Sequence, residues 1–334
     1  MSDPQASFWR GRPVLVTGAT GLLGSWLVPA LHARGADITV LVRDAIPRSL
    51  LVSDGWLDKV NVLRGSLTDE PLLRRSFAEY GTQTVFHLGA QTLVGVAKTD
   101  PVGTLEANVR GTWLLLEAAR QCKVGQVIVA SSDKAYGDSD QLPYLEDHPL
   151  RGRFPYDCSK SCADLISTMY AQTYALPVAI SRCGNLFGGG DLNLSRLIPG
   201  VIMATLRGER FQIRSDGLFV RDFLYVEDAA AAYLALAEGL ARDPALAGQA
   251  MNFGLELRPT MIDLVRQVLQ IMGRPDLEPV ILNQASAEIR EQTLDAGKAR
   301  RMLGWKPEFG MAVGLQRTVD WYTRHVDQLA ALRG

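Results

Sequence analysis

The chain has 334 residues, of which 47% are hydrophobic, and a formal net charge of −1. The length predicts one main domain with a smaller lobe, and the near-neutral charge argues against a nucleic-acid partner, whose phosphates attract a basic surface. Because no apolar run reaches the ~18 residues of a membrane span and the first ten residues lack a signal-peptide core, we predict a cytoplasmic protein with no membrane partner.

The first half of the sequence alternates apolar strands with helices. Strands are predicted at 14–17, 38–42, 60–64, 84–88, 127–131 and 178–182. Helices are predicted at 22–34, 70–80, 101–122 and 156–174. This alternation predicts an α/β fold of the Rossmann type, a doubly wound parallel sheet with a smaller C-terminal α/β substrate lobe.

The rhythm becomes irregular after about residue 184. We therefore assign residues 1–183 to a dinucleotide-binding domain, with later returns near 222–254, and residues 184–334 mainly to a substrate-binding lobe. Ligands of doubly wound sheets bind outside the carboxyl ends of the strands. The segments that follow the first, fourth and fifth strands are expected to meet in one cleft there.

A glycine-rich turn joins the first strand to the first helix. Glycines at such a turn let the backbone approach a pyrophosphate, whose charge is favoured by the amides of the helix N-terminus. The residues assigned to the dinucleotide at this turn are Gly18, Thr20, Gly21, Leu22, Leu23 and Gly24. Those assigned to it after the fourth strand are Leu88, Gly89 and Ala90.

The end of the second strand bears on the choice between NAD and NADP. The usual ribose-binding acid aligns with Val42, so no carboxylate stands there for a 2′-hydroxyl, whereas Arg43 suits a 2′-phosphate. This favours NADP. The alternatives are that Asp44 turns inward and binds NAD, or that Arg43 is a solvated loop residue.

Ser132, Tyr156 and Lys160 form a pattern suited to proton transfer during hydride chemistry. Tyr156 and Lys160 lie one helical turn apart on the same face. We expect the ammonium to lower the pKa of the phenol from its usual ~10, so that Tyr156 acts as a base near neutrality. Ser132 holds the substrate oxygen from which the proton is taken. Taken alone, the Tyr-x-x-x-Lys spacing also fits an ordinary pair on a surface helix.

Two ionisable residues, Asp133 and Lys134, directly follow the serine. Simple alcohol oxidation needs neither of them, so they indicate an additional acid–base step beside a ketone. The alternative is a salt bridge on a loop.

Histidine and cysteine give no metal motif. The four cysteines show no paired C-x-x-C spacing, and Cys158 and Cys162 share a helix face as packing residues. His87, at the end of the fourth strand, is interpreted as a packed, hydrogen-bonded side chain rather than a catalytic one. We predict no metal.

Over nearly its whole length the chain resembles the extended short-chain dehydrogenase/reductases that act on nucleotide-linked sugars. The resemblance rests on GATGLLG at 18–24, VFHLGAQ at 85–91, NVRGT at 108–112, SSDKAYG at 131–137, YDCSK at 156–160, RDFLYVEDAA at 221–230 and LGWKP at 303–307. Asp-Lys after the serine, with RCGNLFGGGDLNLSRLIP at 182–199, is similar to the 4,6-dehydratases of CDP-glucose within that family. The segment 221–230 looks more like the general epimerase/dehydratase pattern.

The resemblance implies a mechanism and a set of roles. Tyr156, with Lys160 and Ser132, takes the proton of the sugar 4-hydroxyl while nicotinamide accepts the C4 hydride. Asp133 then protonates the departing 6-hydroxyl and Lys134 removes the C5 proton, after which the hydride returns to C6.

The same resemblance assigns ligand contacts. It implies that Tyr156, Lys160, Ser66 and the backbone of Leu67 contact the cofactor, with Ser66 replacing an aspartate near the adenine. It assigns the nucleotide-sugar substrate to Gln91, Asn185, Arg196 and Arg221. Arg221 and Asp222 are equally explained as a local salt bridge.

The resemblance also implies a homodimer formed by the 101–122 helix, which carries Trp113, and the tyrosine helix. Ordinary burial against the sheet explains the apolar residues of the 101–122 helix equally well. Two other functions stay open: a nucleotide-sugar epimerase, in which Asp133 and Lys134 have no catalytic task, and a catalytically silent dinucleotide-binding protein.

Overall fold

The computed structural model describes residues 8–44, 46–284 and 289–330. Its strands are β1 (Pro13–Thr17), β2 (Asp37–Val42), β3 (Asn61–Arg64), β4 (Thr84–His87), β5 (Gln126–Ala130), β6 (Val178–Cys183), β7 (Asn185–Phe187), β8 (Gln212–Ile213), β9 (Val220–Arg221), β10 (Phe223–Tyr225), β11 (Ala250–Phe253), β12 (Val280–Ile281) and β13 (Glu291–Gln292). Strands β1 to β6 correspond to the six predicted strands, and their ends differ from the predicted ends by about one residue.

Helices alternate with the main strands. They are α1 (Leu22–Ala33), α2 (Leu50–Ser53), α3 (Glu70–Glu79), α4 (Val94–Thr99), α5 (Pro101–Leu105), α6 (Gly111–Gln121), α7 (Pro155–Tyr174), α8 (Leu197–Leu206), α9 (Val226–Arg242), α10 (Met261–Ile271), α11 (Gly297–Leu303), α12 (Met311–Arg324) and α13 (Val326–Ala330). The predicted helix 101–122 is α5 and α6 joined by a π-helical turn, Glu106–Arg110. Short 3-10 turns occupy Trp56–Lys59, Asp133–Tyr136 and Pro244–Leu246.

Seven of the described strands form one parallel sheet in the order β3-β2-β1-β4-β5-β6-β11. The reversal between β1 and β4 is the switch point of a doubly wound fold, at which ligands bind. The predicted Rossmann-type fold class is confirmed.

Alternate strand residues point to opposite faces of the sheet, as the pleat requires. Val14 and Val16 of β1 belong to the core on one face, with residues of α1 and α9. Leu15 of the same strand belongs to the core on the other face, with residues of α3, α6 and α7. The sheet is thus covered by helices on both sides, which explains why its strands read as continuous apolar runs.

The later part of the chain adds three two-stranded parallel pairs, β7 with β10, β8 with β12, and β9 with β13. Strand β11 returns to the main sheet beside β6. The division into 1–183 and 184–334, which includes residues outside the described ranges, stays a prediction. Within the described part of the chain, no helix has both the length and the apolar character of a bilayer span. Cytoplasmic localisation stays a prediction.

Candidate active site

A cleft of about 1270 Å³ opens at the carboxyl ends of the main strands. It is lined by every residue that the sequence assigned to catalysis, cofactor or substrate, with the exception of Gln91. Gln91 makes local hydrogen bonds, and its predicted contact with the substrate stays a prediction. Its side-chain oxygen accepts a hydrogen bond from the N–H of Leu93 at 2.6 Å, and its own N–H and carbonyl bond the Asn108 side chain of the π-helical turn.

The glycine-rich turn is tightly packed. Gly18 has a φ of +67°, and a Cβ there would lie 2.7 Å from backbone atoms of Leu88 and Gly89. A Cβ at Gly24 would lie 2.4 Å from the Gly18 carbonyl oxygen. Gly21 precedes α1 without a side-chain cap, so the first amides of the helix are left for a ligand. These residues fit a dinucleotide pyrophosphate.

His87 lies beneath this turn as a neutral, hydrogen-bonded side chain. Its Nδ1 is 2.9 Å from Thr17 Oγ1 and its Nε2 is 3.0 Å from Thr112 Oγ1. Because Thr112 donates its own proton to the Asn108 carbonyl, it accepts from Nε2–H. Burial, with a smaller effect of Lys160, lowers the pKa of His87 to about 3. The interpretation of His87 as a packed histidine is confirmed.

Ser132 caps the 3-10 turn that follows β5. Its Oγ accepts a hydrogen bond from the N–H of Lys134 at 3.2 Å and donates to Asp133 Oδ1 at 2.9 Å. Lys134 Nζ lies 3.9 Å from Asp133 Oδ1 and donates to Gln292 Oε1 at 3.2 Å. Asp133 and Lys134 therefore do form an ion pair, but it lies in the wall of the cleft, and the Asp133 side chain is only 2% exposed.

Tyr156 and Lys160 lie at the start of α7, both buried. Lys160 Nζ donates to the Ala130 carbonyl at 2.8 Å and lies 5.9 Å from the centre of the Tyr156 ring. Burial, followed by the charge of Asp133, raises the pKa of Tyr156, against the opposing effects of Arg196 and a hydrogen bond with Ser132. The prediction that Lys160 lowers the pKa of the phenol to neutrality is wrong, because desolvation disfavours the phenolate. Burial lowers the pKa of Lys160 itself to about 8.

The substrate side of the cleft carries Arg196 and Arg221. Arg196 forms an ion pair with Asp191 at 3.0 Å. The Arg221 guanidinium donates to the carbonyls of Val220, Ile289 and Arg290. The neighbouring Asp222 carboxylate accepts hydrogen bonds from four backbone N–H groups, those of Phe223, Leu255, Glu256 and Leu294. Asn185 Nδ2 donates to the Asp222 carbonyl at 3.4 Å.

The end of β2 carries an exposed ion pair. Arg43 Nη2 lies 2.6 Å from Asp44 Oδ2, so Asp44 competes with any 2′-phosphate for the guanidinium. Ser66 Oγ lies 2.9 Å from Thr68 Oγ1. These residues, which follow β2 and β3, all line the cleft.

Asp157 and Gln292 are among the polar residues of the cleft that sequence reasoning missed. Asp157, next to Tyr156, is 4% exposed, and burial, with Asp133, raises the pKa of its carboxyl to about 6 against the attraction of Lys134 and Arg221. Its place in YDCSK was a signal that it lies near the site. Gln292 lies on the two-residue strand β13, for which the local pattern gives no signal.

Three buried polar atoms in the wall of the cleft have no hydrogen-bond partner among the described residues. They are Ser131 Oγ, Asp133 Oδ2 and Gln292 Nε2. Buried polar groups are normally paired, so these atoms mark where a ligand's polar groups are expected.

The described residues contain no group of three or more His, Cys, Asp or Glu side chains arranged for a metal ion. The four cysteines are free thiols.

A doubly wound sheet with a glycine-rich turn at its switch point, and a Ser, Tyr and Lys set beside it, is typical of dinucleotide-dependent enzymes that act on an alcohol carbon. The sequence matches the NAD dependent epimerase/dehydratase family over residues 14–254. The chain belongs to this family.

Relatives of known activity cover almost the whole chain. The CDP-glucose 4,6-dehydratase of Salmonella typhimurium is 31% identical over 331 residues, which cover 95% of this chain and 92% of the relative. The crystal structure of DesIV, a dTDP-glucose 4,6-dehydratase from Streptomyces venezuelae with NAD and TYD bound, is 30% identical. It superimposes with a TM-score of 0.87 over 95% of this chain and 98% of that one.

An epimerase has a similar fold. The UDP-glucose 4-epimerase of Thermotoga maritima, solved with UDP-glucose, is 26% identical, with a TM-score of 0.85 over 94% of this chain and 99% of that one. Fold similarity therefore does not separate dehydratases from epimerases, and the side chains of the cleft must do so.

Proposed function

We propose that this protein is a nucleotide-sugar 4,6-dehydratase, which converts an NDP-hexose, with CDP-glucose favoured, to the NDP-4-keto-6-deoxyhexose. The observation that carries the proposal is the Asp133–Lys134 pair in the wall of the cleft beside Ser132, with Asp133 buried. An epimerase has no task for these two groups. The similarity to the Salmonella CDP-glucose enzyme supports the choice of nucleotide.

The first step is oxidation at C4. A bound nicotinamide dinucleotide would supply the acceptor of the C4 hydride and the source of the hydride that C6 later receives. Ser132 holds the 4-oxygen, and the Tyr156 oxygen takes its proton. Tyr156 takes this proton as the phenolate, which burial disfavours and which the positive charge of Arg196 and the hydrogen bond with Ser132 favour.

The second step is loss of water across C5 and C6. The 4-ketone acidifies the C5 hydrogen, which Lys134 removes as a neutral amine. Asp133, as a carboxylic acid, donates a proton to the departing 6-hydroxyl through the oxygen that has no partner in the cleft wall. Water leaves with no net oxidation.

We further propose NAD as the cofactor, bound by the glycine-rich turn, the Leu88–Ala90 segment and the Ser66–Leu67 segment. The NADP preference drawn from Arg43 is not supported by the comparisons: the family is described as NAD dependent, and DesIV was solved with NAD. The Arg43–Asp44 pair is consistent with NAD, because Asp44 already occupies the guanidinium. Arg43→Ala is therefore expected to change NAD affinity by less than about threefold. Titration with NAD and NADP measures this.

We propose that Asn185, Arg196 and Arg221 bind the diphosphate of the substrate.

The remaining proposal is a homodimer through α5, α6 and α7. Large apolar side chains on these helices are exposed, namely Val102 at 70%, Trp113 at 41%, Leu165 at 59% and Met169 at 40%. A second copy of the chain covers such a face. Light scattering of Leu165→Glu against the unchanged protein tests this.

The experiment for the function is incubation with CDP-, UDP-, dTDP- and GDP-hexoses, with and without added NAD or NADP, followed by product mass. Loss of one water, abolished in Lys134→Ala and Tyr156→Phe, is the expected result. Unchanged mass with a new sugar stereoisomer contradicts the dehydratase and supports the epimerase. Absence of turnover with every hexose supports a silent dinucleotide-binding protein.

A further inference from the structure

Gln292 contacts the catalytic lysine from a distant part of the chain. It lies on β13, and its side-chain oxygen accepts a hydrogen bond from Lys134 Nζ at 3.2 Å. The residue is 1% exposed and lines the cleft. This contact joins the 3-10 turn after β5 to the substrate side.

The orientation of the Gln292 amide follows from the chemistry of its partner. A lysine ammonium can only donate hydrogen bonds, so the oxygen of the amide must face Lys134. The NH₂ group, Nε2, then points away from Lys134. It is buried and has no hydrogen-bond partner among the described residues.

The backbone holds Gln292 in this place. Gln292 is paired with Arg221 in the register of β13 and β9, and its carbonyl accepts a hydrogen bond from the N–H of Asp222 at 2.9 Å. Gln292 therefore lies between the residue proposed to bind the diphosphate and the residue proposed to remove the C5 proton. A buried donor without an acceptor destabilises the unliganded protein, and an oxygen of a bound ligand removes that cost.

We propose that Gln292 has two tasks in the reaction: its Oε1 positions Lys134, and its Nε2 donates a hydrogen bond to a hydroxyl oxygen of the bound hexose. Oε1 and Nε2 are bonded to the same carbon, so a group that accepts from Nε2 lies close to Lys134. Because Lys134 is proposed to act on C5 of the hexose, the acceptor is an oxygen of the hexose. This inference rests on the proposed function for the role of Lys134.

The test compares the binding of CDP-glucose with that of CDP by calorimetry, on the full chain with its dinucleotide. If another NDP-hexose is the substrate, that sugar and its nucleoside diphosphate replace them. Gln292→Met keeps the length of the side chain but removes both polar atoms. We expect it to weaken CDP-glucose binding about tenfold and to leave CDP binding unchanged. Gln270→Met, at an exposed position on α10, is the matched control.

A second variant separates the two tasks. Gln292→Glu keeps an acceptor for Lys134 and removes the donor, so it should lose the same preference for CDP-glucose over CDP. In stopped-flow absorbance, Gln292→Met should accumulate reduced nicotinamide, because elimination by the unanchored Lys134 becomes slower than oxidation, whereas Gln292→Glu should not. The two variants are compared at the optimum pH of each, since the carboxylate introduced by Gln292→Glu disfavours the neutral amine of Lys134.

The outcomes are distinct. An unchanged preference for CDP-glucose over CDP in both variants overturns the hexose contact, and so does an equal loss for both ligands. Equal accumulation of reduced nicotinamide in the Met and Glu variants overturns the positioning of Lys134. If the protein epimerises its substrate, the dehydratase proposal fails, while the binding comparison still decides the hexose contact. If Gln292→Met does not fold by circular dichroism, Gln292→Glu alone decides that contact.

Discussion

The two sides of the cleft are built in different ways. On the dinucleotide side, Gly18, Gly89 and Ser132 each follow a strand of the main parallel sheet, β1, β4 and β5. On the substrate side, Arg221 and Gln292 lie on two-residue strands paired with each other. The first side is positioned by a large sheet with cores on both faces. The second depends on a few polar contacts between distant parts of the chain, so its geometry is expected to be easier to disturb.

The largest effect is expected at Tyr156, on the dinucleotide side. Tyr156→Phe removes the hydroxyl that exchanges the proton and should lower kcat by about 10²–10⁴-fold while leaving the fold intact. Steady-state product formation measures this. Tyr174→Phe, at an exposed position on the same helix, is the control. A loss below tenfold would show that another group takes the proton.

The glycine-rich turn tests how rigid the dinucleotide side is. Gly18→Ala and Gly11→Ala both place a side chain at a positive φ, +67° and +65°, which costs about 1–2 kcal/mol. Only Gly18→Ala also meets backbone, because nothing lies within 4 Å of a Cβ at Gly11. We expect Gly18→Ala to lose about 3 kcal/mol of unfolding free energy, together with NAD affinity. Equal losses in urea titrations would mean that the backbone around Leu88 and Gly89 yields, and would weaken the comparison.

Asp222 tests the substrate side. Its carboxylate accepts hydrogen bonds from four backbone N–H groups, and an amide offers one acceptor oxygen in place of two. Asp222→Asn should therefore cost about 2–3 kcal/mol in urea titrations. It should weaken CDP-glucose binding more than NAD binding, because Arg221 and Gln292 lie on the strands that Asp222 connects.

The control is Asp243→Asn, whose exposed side chain accepts a single backbone hydrogen bond, from Ala245 at 3.0 Å. Asp243→Asn should lower the unfolding free energy by much less than Asp222→Asn does. If Asp222→Asn weakens both ligands equally, the two sides are not independent.

The smallest effect concerns the pH dependence of stability through His87. The pKa of His87 is about 3 in the folded chain, against 6.5 for a free histidine, so below about pH 6.5 the unfolded chain binds a proton that the folded chain does not. The unfolding free energy should then fall by about 0.7 kcal/mol between pH 7 and pH 6. His87→Asn should flatten this slope relative to the unchanged chain. Parallel slopes would contradict the assignment, and His32→Asn, at an exposed position, is the control.

The main sheet and the dinucleotide side of the cleft could be predicted because their signals are local. A strand buried on both faces has a continuous apolar sequence, and a glycine is needed at position 18, where two backbone segments come into contact. Ser132, Tyr156 and Lys160 lie at the ends of elements, and the order of the strands determines where those ends meet. The parallel order of strands then brings these segments to one edge of the sheet without further information.

Other features could not be read from local pattern. The direction of the Tyr156 pKa shift depends on how deeply the phenol is buried and on how near Asp133 lies, and both are properties of packing. The place of Gln91 at the π-helical turn, and the pairing of Arg43 with Asp44, depend on which neighbour each side chain meets.

The sequence by itself therefore determined the fold class, the glycine-rich turn and the place of Ser132, Tyr156 and Lys160 in the cleft, because each is encoded within short segments. Tertiary structure alone decided the substrate side, where Gln292 contacts Lys134 and Asp222 joins three separate segments. Contacts between residues so distant along the chain leave no periodic or motif signal in either segment, since the energy that selects them appears only when the chain folds.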